Sequence, residues 1–264
     1  MSERWQRPWY LLIPGVIAIA LLLLPLVALA LQVPWNSFFS IIATPEVLDA
    51  LWLSIVTSLC ATALVIVIGI PLAWLLAKDA LPGTPAVRAL VLVPLLMPPV
   101  VSGVALLAAF GHDGLVGSGL NLAFGVQIPL STLGVVLAEA FVALPFLVIT
   151  MEGAIRNLDR DYEEAARTNG ASTWFTLRRV TLPILAPSLI AGTALVWARA
   201  LGEYGATMTF AGNVPGVTQT LPLVVYAALK SNKDAAIAMS VLMLIVAIAT
   251  VVALRKYFLP ISLR

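Results

Sequence analysis

The sequence predicts an all-α membrane protein with six transmembrane helices and both termini in the cytoplasm. Three observations predict it. Of 264 residues, 61% are hydrophobic and 11% charged, with a mean hydropathy of +1.03, whereas soluble domains carry about 25% charged residues. The apolar residues gather into charge-free stretches near the ~20 residues a helix needs to cross the hydrocarbon. The basic residues fall almost wholly on one side of those stretches. Composition also excludes other classes. A net charge of +2 is too small for a nucleic-acid binder, and one cysteine (Cys60) with one histidine (His112) permits neither an intrachain disulfide nor a Cys/His metal cluster.

The stretches occur in order along a single transmembrane domain, 1–264. Tyr10–Leu31 is the first span. Ala50–Ala77 is the second, long enough to tilt or to project beyond the lipid. Ala89–Gly111 is the third, and Ser131–Met151 the fourth, interrupted only by Glu139. The fifth comes from a stretch running from about Val180 to Gly202 and is drawn over 183–204, with Arg199 near its end; Ala235–Leu254 is the sixth. Tyr204–Leu229 is also uncharged, but Gly205, Gly212, Asn213, Pro215, Gly216 and Pro222 break it up. It is expected as a loop that dips into the protein, where irregular backbone finds partners. His112 falls in an outer glycine-rich turn and is expected to face solvent.

Topology follows from counting. Arg4 and Arg7, Lys78 and Arg88, five arginines between spans four and five, and Arg255, Lys256 and Arg264 put twelve of 15 basic residues on one side. Lys230 and Lys233 fall on the other, and Arg199 lies within the membrane. The positive-inside rule makes the twelve cytoplasmic. Ala28-Leu29-Ala30 has the small residues of a signal-peptide cleavage site. The apolar stretch before it is longer than the ~7–15 residues of a signal core, so it is kept as a span.

Ten of the 28 charged residues crowd into Glu152–Arg179, within the loop 152–182. Its order is that of two short helices. Asp159 can cap a helix whose first turn holds Asp161, Glu163 and Glu164, where negative charge suits the dipole. Tyr162, Ala165, Ala166 and Asn169 share one face, and Asn169-Gly170 is a left-handed stop. Ser172 can cap a second helix through Trp174 and Leu177, which Pro183 hands to span five. The simplest reading is a solvated connector; the order argues for a rigid docking element.

Glu164-Ala165-Ala166, then Gly170, Val180 and Leu182-Pro183 resemble the signature loop of permease subunits of bacterial ABC importers, with Val180 where that family has Ile. The resemblance implies a type I ABC importer permease fold. It makes these residues the coupling loop that sits in a groove of a separate ATPase. The chain has no G-x-x-x-x-G-K-[ST] phosphate loop, so it is expected to be no enzyme and to hold no cofactor. The resemblance further implies two ATPase subunits that bind ATP and Mg, a second permease copy making a homodimer, and an extracytoplasmic oxyanion-binding protein. Nucleic acid is not expected as a partner; membrane lipid is.

Two patches narrow the branch. Val93-Pro94-Leu95-Leu96-Met97-Pro98-Pro99-Val100-Val101-Ser102-Gly103 opens span three, and Arg199-Ala200-Leu201-Gly202-Glu203-Tyr204-Gly205 with Gly212-Asn213-Val214-Pro215-Gly216 and Thr220-Leu221-Pro222 closes span five. Both resemble permeases for tetrahedral oxyanions, molybdate or tungstate first and sulfate or thiosulfate next. Arg199 and Glu203 are one helical turn apart and can pair. Intramembrane charges face the bundle interior or a watery path. The pair is therefore either part of the translocation path or a structural ion pair joined by Glu139. Pro98-Pro99, Pro145 and the small residues of span five mark spans three to five as a moving gate. Two rival classes lack their residues: an intramembrane enzyme needs paired acids or Ser/His within spans, and a secondary transporter needs ion-coupling groups and a repeat.

Overall fold

The computed structural model describes residues 9–258, whose regular elements are all helices, with no strand among them. In chain order the helices are α1 (Trp9–Leu31), α2 (Phe38–Ile42), α3 (Pro45–Ala77), α4 (Thr84–Leu96), α5 (Pro99–Phe110), α6 (Gly117–Phe124) and α7 (Thr132–Arg156). After them come α8 (Arg160–Thr168), α9 (Thr173–Thr176), a π-helical turn (Leu177–Thr181), α10 (Leu182–Leu201), α11 (Gly205–Phe210), α12 (Leu221–Ser231) and α13 (Lys233–Phe258). Both chain ends, with Arg4, Arg7 and Arg264, lie outside the described residues.

Helices α1, α3, α7, α13 and the continuous helix Thr173–Leu201 are each long and apolar enough to cross a membrane. Helix α7 is the centre of the bundle, packed between α3 and α10 and touched by α4, α5 and α11. Its Leu147, Val148 and Met151 meet Val65 and Leu76 of α3 and Leu185 and Val196 of α10 in one core. Val142 joins Leu106 and Phe210 in a second. Helix α1 lies at the edge beside α13 and exposes Leu21, Leu22 and Leu24. A helix apolar on every side and uncovered by protein is stable only where hydrocarbon is the solvent.

The stretch read as a third span is divided. Helices α4 and α5 meet at 118°, and they bring the number of crossings to six if the bent pair makes one. The break is local chemistry. Each proline drives the residue before it out of the helical region, and Met97 (ψ 137°) and Pro98 (ψ 136°) are both extended. Pro71, Pro145 and Pro187, each without a second proline beside it, stay inside continuous helices.

The expected loop over 204–229 is also more regular than its composition suggested. Its start is α11, wedged against α5 and α7, and its end belongs to α12. A Cβ on Gly103 would fall 2.5 Å from Thr209 Cβ, and one on Gly205 would fall 2.6 Å from Pro99 Cβ. The missing side chains are what let α5 and α11 approach. The intervening turn carries left-handed Gly212 and Gly216, and Thr218 and Thr220 within it are buried.

At the basic end, α3, α4 and α7 are tied by four charges. Arg88 Nη2 lies 2.7 Å from Asp79 Oδ1, and Arg88 Nε lies 2.6 Å from Glu152 Oε1. Arg156 adds contacts of 3.3 Å to Asp79 and 3.1 Å to Glu152. Arg88 also donates to the carbonyl of Leu76 in the last turn of α3, adding to the bond that this oxygen accepts from the Asp79 amide. The hydrogen bond from Arg88, aided by the charges of Arg88 and Arg156, holds the Asp79 carboxyl below its ordinary range against a smaller opposing effect of desolvation.

Candidate coupling loop and buried charge cluster

The loop after α7 is built by its caps. Asp159 Oδ1 accepts from the Asp161 amide at 3.0 Å and starts α8. Helix α8 stops in a paired-bond turn: Gly170, at φ 80°, donates from its amide to Arg167 O, and Ala171 donates to Ala166 O. This left-handed stop satisfies carbonyls that a helix end otherwise exposes. Ser172 Oγ then accepts from the Phe175 amide at 3.3 Å to start α9. Every turn of the loop is thus fixed by its own sequence.

Exposure sorts the motif residues. Glu164, Ala165 and Gly170 are exposed and Ala166 half-buried. Tyr162 and Asn169 are also exposed, so the alanine face of α8 is uncovered. Leu182 is half-buried and Pro183 exposed at the start of α10. Pro183 has no amide to offer the preceding turn. Just before it the helix widens, and the Leu182 amide bonds to Leu177 O across the π-helical turn.

Inside the bundle the three intramembrane charges divide. Arg199 Nη1 lies 2.6 Å from Glu203 Oε2, with 30% of the arginine side chain and 1% of the glutamate side chain exposed. The other oxygen, Glu203 Oε1, accepts from the Ala206 amide at 2.7 Å, so one carboxylate clasps the end of α10 to the start of α11. Glu139 is equally buried on α7, and its Oε1 accepts from Thr57 Oγ1 of α3 at 3.0 Å. Its Oε2 has no partner among the described residues. No bond from Glu139 to Arg199 is seen, so the expected three-way cluster is two separate polar ties.

Sequence reading missed several participants. Thr57 lies in the middle of α3 with nothing in its local sequence to mark it. Ser54, one turn earlier, accepts from the Leu221 amide at 2.7 Å and caps α12. Glu163 faces inward beside the motif's Glu164, meeting Lys78 and Thr181. Their partners lie 18 to 167 residues away in the chain, and no local pattern could have paired them. His112 is exposed in its turn, with Nδ1 3.4 Å from Asn121 Nδ2.

The bundle of apolar helices, broken between α4 and α5, carries a two-helix loop on its basic end. Its fold is that of the ABC importer permeases, and the protein is a multi-pass component of the cell membrane. Residues 69–260 match the model of the family described as binding-protein-dependent transport system inner membrane component, and the chain belongs to that family. It is 45% identical over 247 residues to the molybdenum transport system permease protein ModB of Mycobacterium bovis, covering 94% of this chain and 93% of that one. It is 35% identical over 213 residues to the sulfate transport system permease protein CysT of Escherichia coli K12, covering 80% and 76%. Among solved structures, a bacterial ABC transporter that imports the acidic polysaccharide alginate matches with a TM-score of 0.71 at 19% identity, covering 94% of this chain and 93% of that one. An inward-facing methionine transporter, MetNI, matches with a TM-score of 0.62 at 19% identity, covering 79% and 93%.

Proposed function

We propose that this chain is the translocating subunit of an ATP-driven importer of molybdate or tungstate. One observation carries the substrate reading: 45% identity to a molybdenum permease runs through 94% of the chain rather than through the docking loop alone. In this reading two copies form a homodimer around one path. An extracytoplasmic binding protein delivers the anion to the outer mouth, and two separate ATPase subunits hold ATP and Mg. Both chain ends are cytoplasmic, as the basic residues suggest.

Glu164, Ala165, Ala166 and Gly170 form the ATPase-docking surface, and Leu182-Pro183 carries its movement into α10. The alanine face supports this because small exposed side chains let another protein's groove approach the backbone. ATP drives the switch by binding the two conformations unequally. The Arg199–Glu203 pair is a clasp at the gate rather than a substrate site. Both oxygens of Glu203 are already occupied, and pairing weakens the hold of Arg199 on a dianion. A permease fed by a binding protein works best with such a loose grip, because tight binding in the path slows release.

The sulfate relative at 35% identity supports one alternative, a sulfate or thiosulfate permease. The test is uptake of radiolabelled molybdate into vesicles holding the chain with its ATPase and binding protein. Import that requires ATP and survives excess sulfate is expected. Import abolished by sulfate would give the alternative its place, and import without any ATPase would sink both.

A further inference from the structure

Two adjacent acids on α8 differ in setting, since the ~100° step of a helix turns neighbouring side chains apart. Glu164 is exposed, while the Glu163 side chain is only 14% exposed and makes two bonds to the body of the protein. Its Oε2 lies 3.5 Å from Lys78 Nζ, and its Oε1 accepts from Thr181 Oγ1 at 3.2 Å. Neither partner is incidental. Lys78 caps the C-terminal end of α3, and its ammonium rests 5.5 Å over the Trp74 ring, which orients it. Thr181 is buried and ends the π-helical turn that leads into α10.

The helix length makes the meeting possible. At 33 residues and 1.5 Å per residue, α3 is about 50 Å long, well beyond the ~30 Å hydrocarbon core. Its last turn reaches α8 at the basic end, where Lys78 meets Glu163. Between α8 and that turn there is a cavity of about 500 Å³ lined by Trp74, Lys78, Glu163, Glu164 and Arg167. Packing is thin across such a gap, and the Glu163–Lys78 pair bridges it.

We propose that Glu163 is the positioning residue that links α8 at once to α3 and to α10, so that a displacement of the docking loop moves both spans together; this rests on the coupling-loop reading given above. The pair is partly exposed, and such pairs add little to stability. Its loss therefore loosens transmission without unfolding the bundle. Among the described residues Glu164 stays exposed and unpaired with the frame, while Glu163 holds Lys78 and Thr181.

The test uses the full complex of permease, ATPase and binding protein in vesicles, reading molybdate imported per ATP hydrolysed. Glu163→Ala is expected to assemble and hydrolyse ATP while that ratio falls about tenfold, within the usual span of coupling between sites. Lys78→Met should resemble it. Glu163→Gln, which keeps an acceptor for Thr181 but loses the ion pair, should fall between. The exchanged pair, Glu163→Lys with Lys78→Glu, should recover most of the ratio. Wild-type stoichiometry in Glu163→Ala, or an exchanged pair no better than Lys78→Met, overturns the link. If Glu163→Ala does not assemble, Lys78→Met and the exchanged pair decide by the same ratio. A wild-type complex that imports no molybdate overturns the function proposed above instead, so the two failures are distinct.

Discussion

Thr57 on α3 donates a 3.0 Å hydrogen bond to Oε1 of Glu139 on α7, across 82 residues of sequence, with both side chains buried. It is the one bond seen to the Glu139 carboxyl among the described residues. A buried polar group left without its partner costs about 1–3 kcal/mol. Thr57→Val, equal in shape but without the hydroxyl, is expected to lower thermal stability in detergent by that order. Thr57→Ser, which keeps the donor, should cost less. Equal loss in both variants would mean that the hydroxyl contributes nothing.

The Arg199–Glu203 clasp behaves as a buried pair on its acidic side and a partly wet one on its basic side. Arg199→Ala strands the Glu203 charge, and breaking a buried pair costs about 3–5 kcal/mol. The exposed part of the arginine puts the expected loss at the lower end of that range. Arg199→Met with Glu203→Gln should recover most of it, since glutamine still accepts from the Ala206 amide and carries no charge. Tryptophan-fluorescence melting of the three proteins checks the order.

Gly170 sits at φ 80°, and a Cβ there would meet nothing within 4 Å. The cost of Gly170→Ala is therefore backbone strain alone, about 1–2 kcal/mol for an L-residue in the left-handed region. Hydrogen exchange should rise at the amides of Gly170 and Ala171, whose bonds close the turn, and affinity for the ATPase should fall. Gly170→Asn should be milder, because asparagine tolerates this conformation. Unchanged exchange in Gly170→Ala would refute the strain account.

Asp79 gives the basic end a pH dependence of definite sign. The hydrogen bond from Arg88 holds its carboxyl below the ordinary value in the folded protein, and unfolding returns it to about 4. Between those two values the unfolded chain binds more protons, so stability rises with pH there. The contribution is complete above the ordinary value and is lost as pH falls through the lowered one. Asp79→Asn should flatten the acid limb of the thermal midpoint measured from about pH 7 down to pH 3, and leave its slope near neutrality unchanged. An identical acid limb in the variant would remove Asp79 from the account.

Much of this architecture was written locally. The caps at Asp159 and Ser172 and the stop at Gly170 follow from residue types at fixed spacing, because a turn is satisfied by atoms a few residues apart. The end of α4 is local in cause, since each proline of Pro98-Pro99 restricts the residue before it, although the uncharged run Ala89–Gly111 reads as one span. The size of the bend did not follow, and neither did the helix in Gly205–Phe210, where glycine content suggested a loop. There the packing of α11 against α5 overrides composition, because glycine that weakens an isolated helix also allows the close approach that stabilises it in place.

By itself the sequence determined that the chain lives in lipid, where its uncharged stretches fall, which end is basic, and that a stiff loop stands on that end. These are properties of composition and short-range spacing. Only the tertiary structure decided that Glu139 belongs to Thr57, that Glu203 clasps α10 to α11, and that Glu163 rather than Glu164 reaches Lys78. The first and last depend on how α3 packs against α7 and meets α8, and the second on how α11 folds back from the end of α10. Those are consequences of packing whole helices together, and a helix does not carry its neighbour's position in its own residues.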